Sequence, residues 1–109
     1  MKVDGTNLSM TRGDSETITV FCEERPFQEG DVITFTVKKD VFTKEKILQK
    51  KITKFTEGGR AVIDICPEDT KEVPYGGYRY DVQLTTAKGT VTTIVKPSVF
   101  YVTEEVTWE

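Results

Sequence analysis

Few side chains in this sequence have the type and spacing that chemistry requires. There is no histidine among the 109 residues. That removes the commonest general base, the commonest metal ligand and every Ser-His or Cys-His nucleophile pair. Carboxylates remain, and Glu68, Asp69 and Glu72 lie close together. An EF-hand spreads its calcium ligands over about twelve residues, and glycosidase carboxyls face each other across a cleft of about 5 to 9.5 Å. Neither spacing is present. Acidic residues directly after Pro67 instead fit the first turn of a short helix, where the helix dipole favours negative charge. Cys22 and Cys66 fall short of the four nitrogen or sulfur ligands of a structural zinc site. An immunoglobulin-type bridge would need its second cysteine near Tyr80, so both read as free thiols that pack like small apolar residues. No catalytic residue, cofactor or metal is expected, and the reading is non-enzymatic.

Two motifs speak of contact rather than catalysis. Arg12-Gly13-Asp14 is the tripeptide that integrin-binding loops display, and also a good tight turn, because Gly frees φ and Asp bonds its own backbone. The aromatic run Tyr75-Gly76-Gly77-Tyr78-Arg79-Tyr80 follows a short turn and opens a strand. Sandwich domains place a tyrosine there, with its ring in the core and its hydroxyl on an upstream backbone group. Tyr78 or Tyr80 is expected to be that corner tyrosine. If the tyrosines are exposed instead, they could serve as a sugar-stacking face.

The elements that must hold these residues are strands. Ile18, Val20 and Cys22 alternate with Thr17, Thr19 and Phe21, and Ile33, Phe35 and Val37 alternate with Thr34 and Thr36. Period-2 patterns of this kind mark half-buried strands. Leu48 to Lys54 reads as an exposed strand whose lysines discourage edge pairing. Glu57 to Arg60 looks like a hairpin loop leading into Ala61, Ile63 and Ile65. Tyr78, Tyr80, Val82 and Leu84 form the strongest strand. Ala87-Lys88-Gly89 turns it back into Thr90–Lys96, with Pro97 at an edge or a bulge before Ser98–Thr103. One helical turn is expected near residues 67–72, ended by Val73-Pro74. About seven short strands separated by turns predict an all-β, immunoglobulin-like antiparallel β-sandwich. A single domain over residues 1–109 is expected, with its core at 7–103, a mobile loop at 40–46 and a tail at 104–109.

Composition agrees and narrows the class. Fifteen basic residues stand against eighteen acidic ones, for a net charge of -3 and a pI near 5.1. Duplex-binding domains carry a basic face and a high pI, so no nucleic-acid partner is expected. No apolar run approaches the roughly 20 residues of a membrane span, and the first residues lack a signal-peptide core. The reading is a protein made in the cytoplasm, with no membrane partner. Val99, Phe100, Tyr101, Val102, Val106 and Trp108 place more apolar surface near the chain end than a small monomer needs. They are either a contact surface or, for Trp108, a side chain folded back onto the sandwich.

Thr11-Arg12-Gly13-Asp14-Ser15, Glu29-Gly30-Asp31-Val32-Ile33-Thr34-Phe35-Thr36-Val37-Lys38, Ile65-Cys66-Pro67-Glu68-Asp69-Thr70 and Tyr75-Gly76-Gly77-Tyr78-Arg79-Tyr80-Asp81-Val82-Gln83-Leu84 together resemble a known group. They are similar to small β-sandwich proteins of phages and prophages of Gram-positive bacteria, in particular the N-terminal domain of upper-baseplate tail proteins. The resemblance spans about residues 7–102. It implies a virion-associated, tail-baseplate accessory protein of bacterial origin whose partners are other phage structural proteins or further copies of itself. It supplies no catalytic residues. The rival function is an adhesive or carbohydrate-binding surface domain using Arg12, Gly13 and Asp14 or exposed tyrosines.

Overall fold

A computed structural model describes residues 1–106. They form eight strands and one helical turn: β1 Lys2–Asp4, β2 Asn7–Thr11, β3 Glu16–Val20, β4 Val32–Lys38, β5 Lys46–Ile52, β6 Ala61–Ile65, α1 Pro67–Thr70, β7 Gly76–Thr85 and β8 Val91–Thr103. The six strands β1-β2-β8-β7-β4-β5 make one sheet, and β3-β6 make the other. This is an all-β sandwich. Every pairing is antiparallel except β2 with β8, which run parallel from Leu8 opposite Phe100 to Thr11 opposite Thr103. That departure from a fully antiparallel sheet needs no crossover helix, because β2 and β8 lie at opposite ends of the chain and no short connection joins them.

The alternating patterns do the sorting. Ile33, Phe35 and Val37 of β4, and Tyr78, Tyr80, Val82 and Leu84 of β7, are buried, as are Phe100 and Val102 of β8. They face Val20 of β3 and Ala61, Ile63 and Ile65 of β6. The Phe35 ring lies 5.4 Å from Tyr80 and 6.1 Å from Phe100. Each such side chain stabilises the fold by roughly 1.5 to 3 kcal/mol. A register shift at one residue would turn this whole set outward.

Two sequence expectations change form. The Glu57–Arg60 turn is tight, with Gly59 donating to the Thr56 carbonyl at 2.9 Å. It does not close a hairpin, however, because β5 and β6 belong to different sheets. Phe55 packs on Phe27, 5.6 Å between ring centres, and carries the chain across. Secondly, β8 continues through Pro97 as one strand. Its pairing with β7 slips between Tyr80 and Val82 and again before Gln83, so the proline sits within a bulged stretch that asks for no ladder N–H. Strand β1 carries no alternating signal and was not foreseen.

Candidate functional site

The small sheet covers only part of the large one, and its two flanks end differently. On the β6 side the sandwich is closed. Lys50, on the inner face of the β5 edge, reaches Asp69 of α1 at 2.9 Å, and buried Phe27 stacks beside Phe55. Gly59 adopts φ +72, and a side chain there would meet Pro26 at 2.5 Å and the Phe27 backbone at 3.0 Å. These contacts cover the β6 flank.

On the β3 side the sandwich is open. A groove of about 550 Å³ runs between β3 and the β1–β2 hairpin, floored by Leu8, Ile18, Val20, Val82, Ile94 and Val95, with Met1, Val3 and Phe21 on its rim. Among the described residues strand β3 pairs only with β6. Strand β8 pairs with β2 only from Phe100 onward, and the Val99 N–H is taken by the Asn7 side chain at 2.9 Å. Among the described residues the stretch Val91–Val95 therefore has no strand beside it on the groove side. Neither Thr17–Phe21 nor Val91–Val95 contains a charged residue. By contrast the β5 edge carries Lys46, Lys50 and Lys51, the usual protection against strand addition.

The Arg12-Gly13-Asp14 tripeptide forms a turn, but its arginine is engaged. Arg12 donates from Nε to Glu105 at 3.0 Å and from Nη2 to the Tyr75 hydroxyl at 2.9 Å, and its guanidinium lies 4.2 Å from the Tyr75 ring centre. The Gly13 N–H donates to the buried Thr70 hydroxyl at 2.8 Å. Gly13 has φ +83, a left-handed conformation that glycine adopts freely. Asp14 is exposed. The tripeptide thus clasps the β2–β3 turn to α1, to the entry of β7 and to the segment after β8.

Tyr78 and Tyr80 are both buried. The Tyr78 hydroxyl donates to the Pro74 carbonyl, four residues upstream, which is the geometry of a tyrosine corner. The Tyr80 hydroxyl donates instead to the Thr6 carbonyl and so holds the β1–β2 hairpin onto the sheet. Burial raises both phenols above the ordinary tyrosine value. Neither ring offers a sugar-stacking surface, and the half-exposed Tyr75 ring is covered by Arg12 on one face.

The expected C-terminal contact residues divide. Phe100, 1% exposed, and Val102 belong to the core and not to a free surface, because even-numbered positions of this stretch point inward. Tyr101 is 51% exposed and Val99 partly so, on the outer face, while Val106 is fully exposed. Trp108 lies outside the described residues. The carboxylates of α1 serve the fold: Asp69 accepts the Cys66 N–H at 2.8 Å and pairs with Lys50. Cys22 and Cys66 are free thiols near opposite ends of the β3–β6 ladder. Within the 40–46 loop, Asp40 accepts from the Phe42 and Thr43 N–H groups and the Thr43 hydroxyl, which hold its carboxyl below the usual range. Among the described residues no group of three His, Cys, Asp or Glu side chains is placed to hold a metal, and no helix is long and apolar enough to cross a membrane.

The groove was absent from the sequence reading because it depends on which strands are missing from the small sheet. Its one legible sign is the lack of charge in residues 17–21 and 90–95, beside the lysines of β5. No protein-family model and no curated protein sequence matches this chain.

Proposed function

We propose that this chain is a non-enzymatic protein-interaction module that takes an extended partner segment into the β3–β8 groove, as a structural component of a phage or prophage virion or tail baseplate. The observation that carries the binding mode is the apolar groove beside two strand stretches, Thr17–Phe21 and Val91–Val95, that are uncharged and lack a neighbouring strand on that side. In strand addition the backbone groups of an open edge supply affinity, while pockets for alternate side chains supply specificity. The virion setting rests on the motif resemblance in residues 11–15, 29–38, 65–70 and 75–84. The partner is another phage structural protein or a further copy of the chain.

The test copies onto β3 the protection that β5 already has. Thr17→Lys/Thr19→Lys places two lysines on exposed positions of the β3 edge, and should melt close to the parent chain. Light scattering after size exclusion reads self-association, and capture of neighbouring tail proteins reads a different partner. The variant should lose whichever the parent shows. Undiminished association by the variant refutes the groove as the contact.

A further inference from the structure

The outer face of the large sheet carries a second feature, independent of the groove. Lys46, Lys38 and Arg79 stand in one row across three adjacent strands, since Lys38 is opposite Lys46 on one side and Arg79 on the other. Like charges directly opposite each other on a sheet are destabilising. Among the described residues none of the three has an ion-pair partner; Lys46 touches only the Gln49 amide oxygen, at 3.3 Å. Edge protection accounts for Lys46 on β5, but not for Lys38 and Arg79 on the interior strands β4 and β7.

The row is built by an irregularity. Val37 pairs with Leu48 but Lys38 pairs with Lys46, so β5 has an extra residue there. In unbroken register Ile47 would oppose Lys38. Instead Ile47 and Leu48 both pack against the core, and Lys46 is brought to the outer face. Re-aiming a side chain is what bulges beside functional sites do. The three cations edge an open cleft of about 270 Å³ that also presents Thr36, Gln49 and Asp81, and Asp40, whose carboxylate is taken up by the Phe42 and Thr43 N–H groups and the Thr43 hydroxyl. In the next cross-strand row, Thr36 lies between Gln49 and Asp81. Asp81 has no hydrogen-bonded or ion-paired partner among the described residues, and partial burial raises its carboxyl above the ordinary value against the pull of Lys38.

We infer that this cleft binds the phosphoryl ester of a small polyol or sugar, with the phosphoryl group on Lys38, Lys46 and Arg79 and its hydroxyls on Thr36, Gln49 and Asp81. A phosphate monoester brings close to two negative charges and three strong acceptor oxygens, which suits three cations in one cross-strand row better than a carboxylate does. In the adjacent row the Gln49 amide already donates to the Thr36 hydroxyl at 3.1 Å, which leaves the Thr36 O–H to donate and the Gln49 amide oxygen and the Asp81 carboxyl to accept, as a hydroxyl requires. Seven lysines between residues 38 and 54, against Asp40 and Glu45 alone, set the local field in a chain that is acidic overall.

Titration of the isotope-labelled full chain with glycerol 3-phosphate, followed by amide NMR, tests this. Saturable shifts are expected at residues 36–40, 46 and 79–83. Inorganic phosphate should bind several-fold more weakly, and glycerol should leave the spectrum unchanged. Lys38→Gln and Arg79→Gln should each weaken binding at least fivefold. Without ligand, Lys38→Gln should melt above the parent at low salt, with the gap closing at high salt as repulsion is screened. A diester of phosphate with two glycerols distinguishes the sources: tighter binding than the monoester assigns a polymer-internal unit, weaker binding a free or terminal ester. Absence of saturable shifts in the cleft, or binding that both substitutions leave intact, overturns the site. Equal affinity for phosphate and glycerol 3-phosphate overturns the polyol assignment.

Discussion

Replacing Arg12 by alanine distinguishes a structural clasp from an adhesive loop. The arginine is mostly covered, with its side chain 13% exposed and that of its partner Glu105 14%. Truncation removes a charge-assisted hydrogen bond of 3.0 Å to Glu105, a bond of 2.9 Å to the Tyr75 hydroxyl and a guanidinium stacked 4.2 Å above the Tyr75 ring. A hydrogen bond to a charged group is worth about 1.5 to 3 kcal/mol, and a cation on an aromatic face adds about 0.5 to 1 kcal/mol. The expected loss is about 2 to 3 kcal/mol, since the ring contact is half in solvent. At roughly 4 to 8 °C per kcal/mol for a domain near this size, Arg12→Ala should lower the melting temperature by about 10 °C or more. Arg12→Lys keeps the charge but not the fork of donors, and should recover only part of the loss. Asp14→Ala, at an exposed position, should stay within about 0.5 kcal/mol of the parent. Differential scanning calorimetry on the three variants reads all of this. A parent-like melting temperature for Arg12→Ala would refute the clasp, and loss of cell adhesion in a stable Asp14→Ala would restore the adhesive reading.

Two further outcomes follow from buried polar groups. Tyr78→Phe and Tyr80→Phe should each cost about 1 kcal/mol in urea unfolding, with an unchanged denaturant slope, because each leaves a carbonyl without its hydroxyl donor. The same phenols make stability fall as pH rises past the unfolded tyrosine value of about 10, since the folded state holds them protonated, and the double Phe variant should flatten that fall. Asp31 is buried, accepts two bonds from Arg25 at 2.8 and 3.0 Å and one from the Gln28 N–H, and is held below the ordinary carboxylate range chiefly by Arg25. Its contribution is therefore complete above the unfolded value near 3.9 and is lost as pH falls through the lower folded value. Asp31→Asn should be destabilised at pH 7 and approach the parent in acid; a gap that widens in acid would refute the assignment.

The alternating segments were legible because their apolar residues repeat at the strand period whatever surrounds them. Ile33, Phe35 and Val37, and Tyr78 through Leu84, are buried as their pattern predicts. The corner at Tyr78 was legible for a similar reason, since a proline-ended turn and a tyrosine at the head of a strand are local signals. What the sequence concealed is non-local. Nothing in Lys2–Asp4 announces a strand; its place depends on a tight hairpin with β2 and on Tyr80 holding Thr6. Arg12 looked like a surface motif because its partners, Tyr75 and Glu105, lie 63 and 93 residues away. The row of cations was hidden by parity. Counting alternate residues outward from Leu48 puts Lys46 on the inner face, and only the extra residue opposite Val37 and Lys38 reverses it.

The distribution of charge over strand edges links the fold to its proposed use. A two-stranded sheet lying on a six-stranded one leaves edges at β1, β5, β3 and β6 and along Val91–Val95 of β8; β1 carries Lys2 and Asp4, and β6 lies on the closed flank. If selection acted only against aggregation, each would carry charge or be covered. The β5 edge bears three lysines, one of them drawn inward to Asp69 across the closed flank. Thr17–Phe21 of β3 and Val91–Val95 of β8 bear none, charge being confined to Glu16 and Lys96 at the ends of those stretches, and both contribute to the same apolar groove. A chain with 30% charged residues that keeps Thr17–Phe21 and Val91–Val95 free of charge leaves the groove they line able, on the proposed reading, to accept a strand. On the proposed reading the lysine-bearing edge also sets the orientation: an added strand would lie along β3, and a partner would be held on the side of the sandwich away from β5. The cation row then remains open to solvent on the outer face of the large sheet.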